Sequence, residues 1–193
     1  LITDHTSESD ERDAEQSLYL HDFALESKDG RDIDFASVRE VFHESFLQVL
    51  SGEVESDGFN RLVLSAGLAW RDVVISRAYS KYLRQAGIPF SQDYMAETLA
   101  KNPGIVRNLA KLFTTRFDPN FTGDRETACA GYVAQIEAAL EDVSNLDEDR
   151  IIRRFLNMVQ VTLRTNFYQP GPDGRPKSYV SLKFASRDIL EIP

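Results

Sequence analysis

The sequence predicts a mainly α fold, about six helices in an irregular bundle with short β-strands near both ends. Three observations predict it. Apolar residues recur every three or four positions from Val38 to Leu163, the period of a helix with one buried face. Capping residues stand ahead of these runs at Asp34, Asp57, Ser91, Asp124 and Asn145. Alternation of period two occurs only at the margins, over 18–25 and 179–184.

Taken in order, residues 1–16 are polar and acidic and are expected to form a flexible arm. Leu18, Leu20, Phe23 and Leu25 then suit a short strand, closed by a Lys28-Asp29-Gly30 turn. Asp34 opens a helix whose stripe is Val38, Phe42, Phe46 and Val49, with Gly52 as its stop. Asp57-Gly58 opens the longest predicted helix, running to about Ala86, where Gly87 and Pro89 end it. At 1.5 Å per residue such a rod is on the order of 40 Å long. Its first half is apolar almost all round, which implies burial on several sides.

Ser91 caps a short helix that ends before Asn102-Pro103, and Pro103 suits the first turn of the next, with Ile105, Leu109, Leu112 and Phe113 on one face. Phe117-Asp118-Pro119 breaks it. A helix over 124–143 turns Tyr132, Val133, Ile136, Leu140 and Val143 inward. Asn145 and Glu148 make an N-x-x-E capping box for a final helix through Ile152, Phe155, Leu156, Val159 and Leu163. Gly171-Pro172-Asp173-Gly174 is a turn, and Tyr179, Val180, Leu182 and Phe184 form a strand. The expected organisation is an arm over 1–16, a helical domain with its leading strand over 17–168, and a turn and strand over 169–193. Isolated strands are poor folding units, so these marginal ones should belong to sheets completed by other segments.

Composition narrows the function. The 193 residues carry 22 basic and 31 acidic side chains, a formal net charge of −9. That balance argues against a nucleic-acid partner, since a phosphate-backbone binder needs a basic face. One cysteine excludes a disulfide framework and a multi-thiolate metal site. No apolar run reaches the ~18 residues of a membrane span, and the acidic start is unlike a signal peptide. We therefore expect a cytoplasmic protein with no membrane partner, in which the Asn120-Phe121-Thr122 sequon is a chance occurrence. The missing initiator Met and the strand near Pro193 lead us to expect a piece of a longer chain.

Candidate chemistry is sparse. No two of the ten glycines are separated by a single residue, which excludes a Rossmann fingerprint, and no G-K-[ST] is present. His5, His21 and His43 do not pair at helical spacing, so no metal site is read. Cys129 sits among small residues as a helix-packing cysteine. Asp147, Glu148 and Asp149 complement a helix N-terminus and face Arg150, Arg153 and Arg154 at ion-pair spacing. No catalytic, cofactor-binding or metal-ligating residue is assigned. The least ordinary feature is basic and aromatic: Trp70, Arg71, Arg77, Tyr79, Lys81, Tyr82 and Arg84. Arg77, Lys81 and Arg84 share one helix face. With Trp70 and Arg71 they form the candidate partner or ligand face, which meets solvent by default, or else a domain, a subunit or an anionic metabolite.

Several stretches carry a resemblance. They are Leu20-His21-Asp22-Phe23, the run from Asp57 to Leu64, Ala66-Gly67-Leu68-Ala69-Trp70-Arg71, and the run from Arg77 to Leu83. Leu112-Phe113, Arg116-Phe117-Asp118-Pro119, Asp147-Glu148-Asp149-Arg150 and Arg164-Thr165-Asn166-Phe167-Tyr168-Gln169 continue it. In this order they resemble the very long-chain bacterial NAD-dependent glutamate dehydrogenases, over about 18–193. The loop over 120–129 matches no family pattern.

The resemblance implies a stretch lying after regulatory domains of the ACT type and immediately before the catalytic domain, with the strand from Tyr179 as that domain's first edge. The parent enzyme would deaminate L-glutamate to 2-oxoglutarate and ammonium and pass a hydride to NAD. This stretch itself would be a non-catalytic regulatory, linker or oligomerisation element without cofactor. Its partners would be the catalytic and regulatory domains of the same chain, in a homo-oligomeric parent. A carboxylate-sensing module using Arg71, Arg77 or Lys81, and a free-standing interaction domain, are the alternatives.

Overall fold

A computed structural model describes residues 34–190. The acidic arm and the leading strand of the sequence reading lie outside the described residues. From Ala36 onward the chain is one unit. It is mainly α: α1 (Phe35–Leu50), α2 (Arg61–Ala66), α3 (Trp70–Gln85), α4 (Gln92–Lys101), α5 (Pro103–Phe117), α6 (Arg125–Leu140) and α7 (Leu146–Val161). Two strands follow, β1 (Thr162–Thr165) and β2 (Leu182–Phe184), paired antiparallel in one ribbon.

Three of the capping residues act as the sequence leads one to expect, Asp57 caps only the short 3-10 turn Gly58–Asn60, and the Asn145–Glu148 box forms in its first half alone. Ser91 Oγ accepts from Tyr94 N, and Asp124 accepts from Glu126 N and Thr127 N. Asn145 accepts from Asp147 N and Glu148 N, while the Glu148 carboxylate goes to Lys101 Nζ at 3.2 Å. Pro103 occupies the first turn of α5, where its missing N–H has no partner to lose. Ile136 and Leu140 of α6 are buried, with Tyr132, Val133 and Val143 packed against the core from the side.

Four expectations need correction. The rod predicted over 57–86 is two helices. Gly67 takes φ +64°, and the N–H groups of Gly67 and Leu68 both donate to Leu62 O, so the first helix is closed by a left-handed cap. Leu68 is then buried and Ala69 extended before α3 begins. The apolar run marked two buried helices meeting at a break, and among the described residues the helices therefore number seven instead of six.

The last helix ends at Val161, short of Leu163. Thr162 turns to an extended conformation (φ −68°, ψ 121°) and begins β1. Two β-branched threonines within four residues favour the strand. Leu163 sits at an irregularity in the register and is 53% exposed. The strand predicted over 179–184 is narrower, limited to Leu182–Phe184. Finally, the α1 stripe is inward only in part: Val38 is buried and Phe42 and Val49 half-buried, but Phe46 is exposed.

The core runs through α2 to α7, with the ribbon packed against it. Phe59, Leu62, Leu99, Ile152 and Phe155 are among its largest fully buried apolar side chains, and Tyr79 of α3 is buried with them. Phe167 and Ile189, beyond the helices, belong to the same cluster. Burial of each such side chain stabilises the fold by roughly 1.5–3 kcal/mol, so the C-terminal segment is held by the helical core it follows.

Candidate functional site

A convergent polar arrangement lies where α7 becomes β1. Three side chains from earlier helices converge on 158–167. Tyr79 of α3 bonds Thr162 Oγ1 at 2.9 Å in a buried contact, and Thr162 Oγ1 donates to Met158 O at 2.6 Å. With the threonine proton committed, the tyrosine hydroxyl is the donor. Burial pushes the Tyr79 phenol well above its ordinary value, so it stays protonated. Arg116 of α5 donates to Gln160 O and Thr162 O, at 3.0 and 3.2 Å. These carbonyls lie at the end of α7, where intrahelical donors run out.

Arg71 of α3 ties down the next segment. Its guanidinium donates to Phe167 O at 2.6 Å and to Lys177 O at 3.5 Å, and lies over the Phe167 ring at 4.6 Å. Burial lowers the Arg71 pKa, an effect offset in part by Asp72 and Tyr168. Asn166 bridges both sides of the loop: its Oδ1 accepts from Ser181 N at 2.6 Å and its Nδ2 donates to Tyr179 O at 3.2 Å. Tyr82 and Phe184 pack with their rings tilted by 48° and centroids 4.6 Å apart, and Phe113 meets Phe167 edge-on at 5.4 Å. A cavity of about 20 Å³ lies between α3, α5 and α7, lined among others by Asp72, Ser76, Tyr79 and Phe155.

The five residues of the candidate face therefore have separate surroundings. Trp70 is half-buried, and Arg71 holds the 167–177 loop. Arg77 is only 4% exposed; its guanidinium makes a two-pronged pair with Asp57, at 2.6 and 2.9 Å, and donates to Asn60 Oδ1 at 2.8 Å. Lys81 pairs with Glu55, and Arg84 donates to Phe90 O at 3.2 Å. Helical spacing alone could not show that Arg71 and Arg77 have acceptors distant in sequence. The stretch expected as a loop over 120–129 is a loop only as far as Asp124, since Arg125 begins α6; Arg125 donates to the Thr115 and Asp118 carbonyls and covers Phe121. Among the described residues, no group of three or more His, Cys, Asp and Glu is placed to hold a metal ion. No helix there is long and apolar enough to cross a membrane. Cys129 is half-buried, and burial pushes its thiol pKa up.

Comparison with known proteins explains why this convergence matters. Residues 54–119 match the family model described as glutamate dehydrogenase, helical motif 3. Residues 135–193 match that of the bacterial NAD-glutamate dehydrogenase catalytic domain. The chain is 43% identical to an NAD-specific glutamate dehydrogenase of Pseudomonas aeruginosa over 92% of its own length and 11% of that relative's. It is 37% identical to one of Halomonas elongata (93% and 11%) and 41% identical to one of Mycobacterium tuberculosis (82% and 10%). The chain belongs to the large bacterial NAD-dependent glutamate dehydrogenases.

Two consequences follow for this glutamate dehydrogenase segment. It spans about a tenth of the length of the curated relatives it matches. Its catalytic-domain match begins inside α6, upstream of Tyr179. Arg71, Tyr79 and Arg116 all stand in the helical-motif match, and every carbonyl or hydroxyl they hold between Gln160 and Lys177 stands in the catalytic-domain match. The two matched regions share one hydrophobic core. The missed signal was the Thr-rich step after Val161. Arg164-Thr165-Asn166-Phe167 carried the resemblance, but its role as the clamped segment needed the fold.

Proposed function

We propose that this chain is the positioning element of a large NAD-dependent glutamate dehydrogenase. It holds the entry to the catalytic domain in a fixed orientation and performs no hydride transfer itself. The observation that supports this is the clamp: Arg71, Tyr79 and Arg116 of the helical motif hold the helix-to-strand turn of the catalytic-domain match. In this reading the longer protein deaminates L-glutamate oxidatively to 2-oxoglutarate and ammonium in the cytoplasm, as a homo-oligomer. NAD is held outside this chain, and the regulatory and catalytic domains of the same protein are its partners. The ribbon β1–β2 is the start of a larger sheet, because a two-stranded ribbon is marginal alone.

Positioning of this kind acts on rate. Misplacing reacting groups by about 1 Å costs on the order of 100-fold, so a clamp remote from the chemistry still sets turnover. A carboxylate-sensing role for Arg71, Arg77 or Lys81 would first require breaking the ties described above.

The test uses the full-length enzyme. Replacing Arg71 by Met keeps the stem of the side chain and removes the two carbonyl ties. A fall in kcat/KM for glutamate of about tenfold or more, in an enzyme that keeps its melting profile, is the expected result. Unchanged kinetics would refute the positioning role, and micromolar NAD binding to the 193-residue chain by calorimetry would refute its non-catalytic character.

A further inference from the structure

The chain after β2 is tied to α7 by a buried amide that the clamp does not use. Asn157 is 9% exposed and stands in a run of buried residues on α7 that includes Phe155, Leu156, Met158 and Val159. A carboxamide buried without partners costs stability, and asparagine forms helix less readily than leucine. Both polar atoms of Asn157 have a partner. Its Nδ2 donates to Asp188 O at 3.1 Å, and Leu190 N donates to its Oδ1 at 2.9 Å.

The two bonds share a pattern. Ile189, between the two backbone partners, is extended, with φ −76° and ψ 125°, and its side chain is buried in the core cluster. Asn157 therefore grips one peptide edge through an acceptor and a donor, as the backbone of a neighbouring strand would. One turn further along α7, Val161 O accepts from Ala185 N at 2.9 Å. The segment 185–190 thus runs back along α7 from Val161 to Asn157, held by these bonds and by the burial of Ile189.

We propose that Asn157 is a positioning residue of the longer glutamate dehydrogenase. Its carboxamide serves as a surrogate strand that fixes 188–190 against α7, and glutamate turnover depends on that placement. It acts through the backbone of Asp188 and Leu190, which lie inside the catalytic-domain match. This role rests on the reading that the chain orients the catalytic domain, and it adds a second holding point apart from Arg71.

Asn157→Leu in the full-length enzyme tests this. Leucine is close to the amide in size and suits the apolar run, and the two freed backbone groups belong to exposed residues, Asp188 and Leu190. The variant is therefore expected to keep its melting profile. Its kcat should fall about tenfold or more at an unchanged KM for glutamate, and exchange of the Leu190 amide should rise about tenfold or more. Asn157→Asp keeps the acceptor for Leu190 N and loses the donor to Asp188 O. It is the second variant if the leucine form melts early, and it should slow turnover while the Leu190 amide stays protected. An unaltered kcat in either variant overturns the proposal, as does a Leu190 amide that exchanges no faster in Asn157→Leu. A loss of kcat that vanishes when the assay is cooled below the variant's melting range overturns it as well, since that marks lost stability alone. Arg71→Met assayed beside them separates this role from the clamp. A slow Arg71→Met with native kcat in the Asn157 variants removes Asp188 and Leu190 as a holding point and leaves the clamp, and the reverse pattern removes the clamp and leaves Asn157.

Discussion

The Tyr79 hydroxyl donates to Thr162 Oγ1 across 2.9 Å of buried interior and so joins the middle of α3 to the residue where α7 becomes β1. The threonine passes its own proton to Met158 O. The pair is asymmetric. Thr162→Val strands a buried phenol and is expected to cost about 1–3 kcal/mol, whereas Tyr79→Phe removes the donor and leaves an acceptor that still has a partner, at about 1 kcal/mol. Denaturant melts of both variants and of the double variant check this. The double variant should be less destabilised than the sum of the two.

Arg77 and Asp57 make the second test. The guanidinium is 4% exposed and satisfied by Asp57 and Asn60, and Asp57 also accepts from Phe59 N. Arg77→Ala leaves a carboxylate without its cation and is expected to destabilise by about 3–5 kcal/mol. Arg77→Lys keeps the charge and loses the fork, so it should recover only part of that loss. Full recovery by lysine in thermal melts would show that the fork geometry is immaterial.

The break between α2 and α3 rests on Gly67. Its φ is +64°, and a Cβ there would meet nothing within 4 Å. The penalty for Gly67→Ala is therefore one of backbone strain alone, about 1 kcal/mol. Asn tolerates the left-handed conformation better, so Gly67→Asn should cost less. Equal loss for both would place the constraint elsewhere than the backbone angle.

Asp72 gives a pH dependence. It lies in the first turn of α3, and burial pushes its carboxyl pKa above the ordinary value while Arg71 pulls it down. A raised folded value means that the unfolded chain ionises first. The stability tied to this group is fully present below the unfolded pKa of about 3.9 and is lost as pH rises through the folded pKa. Asp72→Asn removes that loss. Its melting temperature relative to the native chain should rise from pH 4 upward and then level off; a difference independent of pH would contradict the assignment.

The sequence made the helices legible because their signals are local. Ser91, Asp124 and Asn145 cap the helices they precede, and Pro103 begins the one it was assigned to. It hid the break at Gly67 because an apolar run on both sides reads as one rod, and only the Leu62 carbonyl, accepting from Gly67 and Leu68, ends it. It hid β1 because Leu163 continued the helical period by chance. Arg71 and Arg77 were visible as unusual, but their acceptors are distant in sequence: Phe167 O for one, Asp57 for the other. A three-and-four spacing finds a face and cannot say whether that face is already occupied.

Side chains of the helical-motif match hold the helix-to-strand turn after Val161, inside the catalytic-domain match. Hydrogen exchange of the amides over 162–184 in Arg71→Met measures that hold most directly. Losing two charge-assisted bonds to carbonyls should raise local opening by about tenfold or more, with α1 and α6 exchanging as in the native chain. Unchanged protection across 162–184 would contradict the claim, because the segment would then hold its place without the clamp.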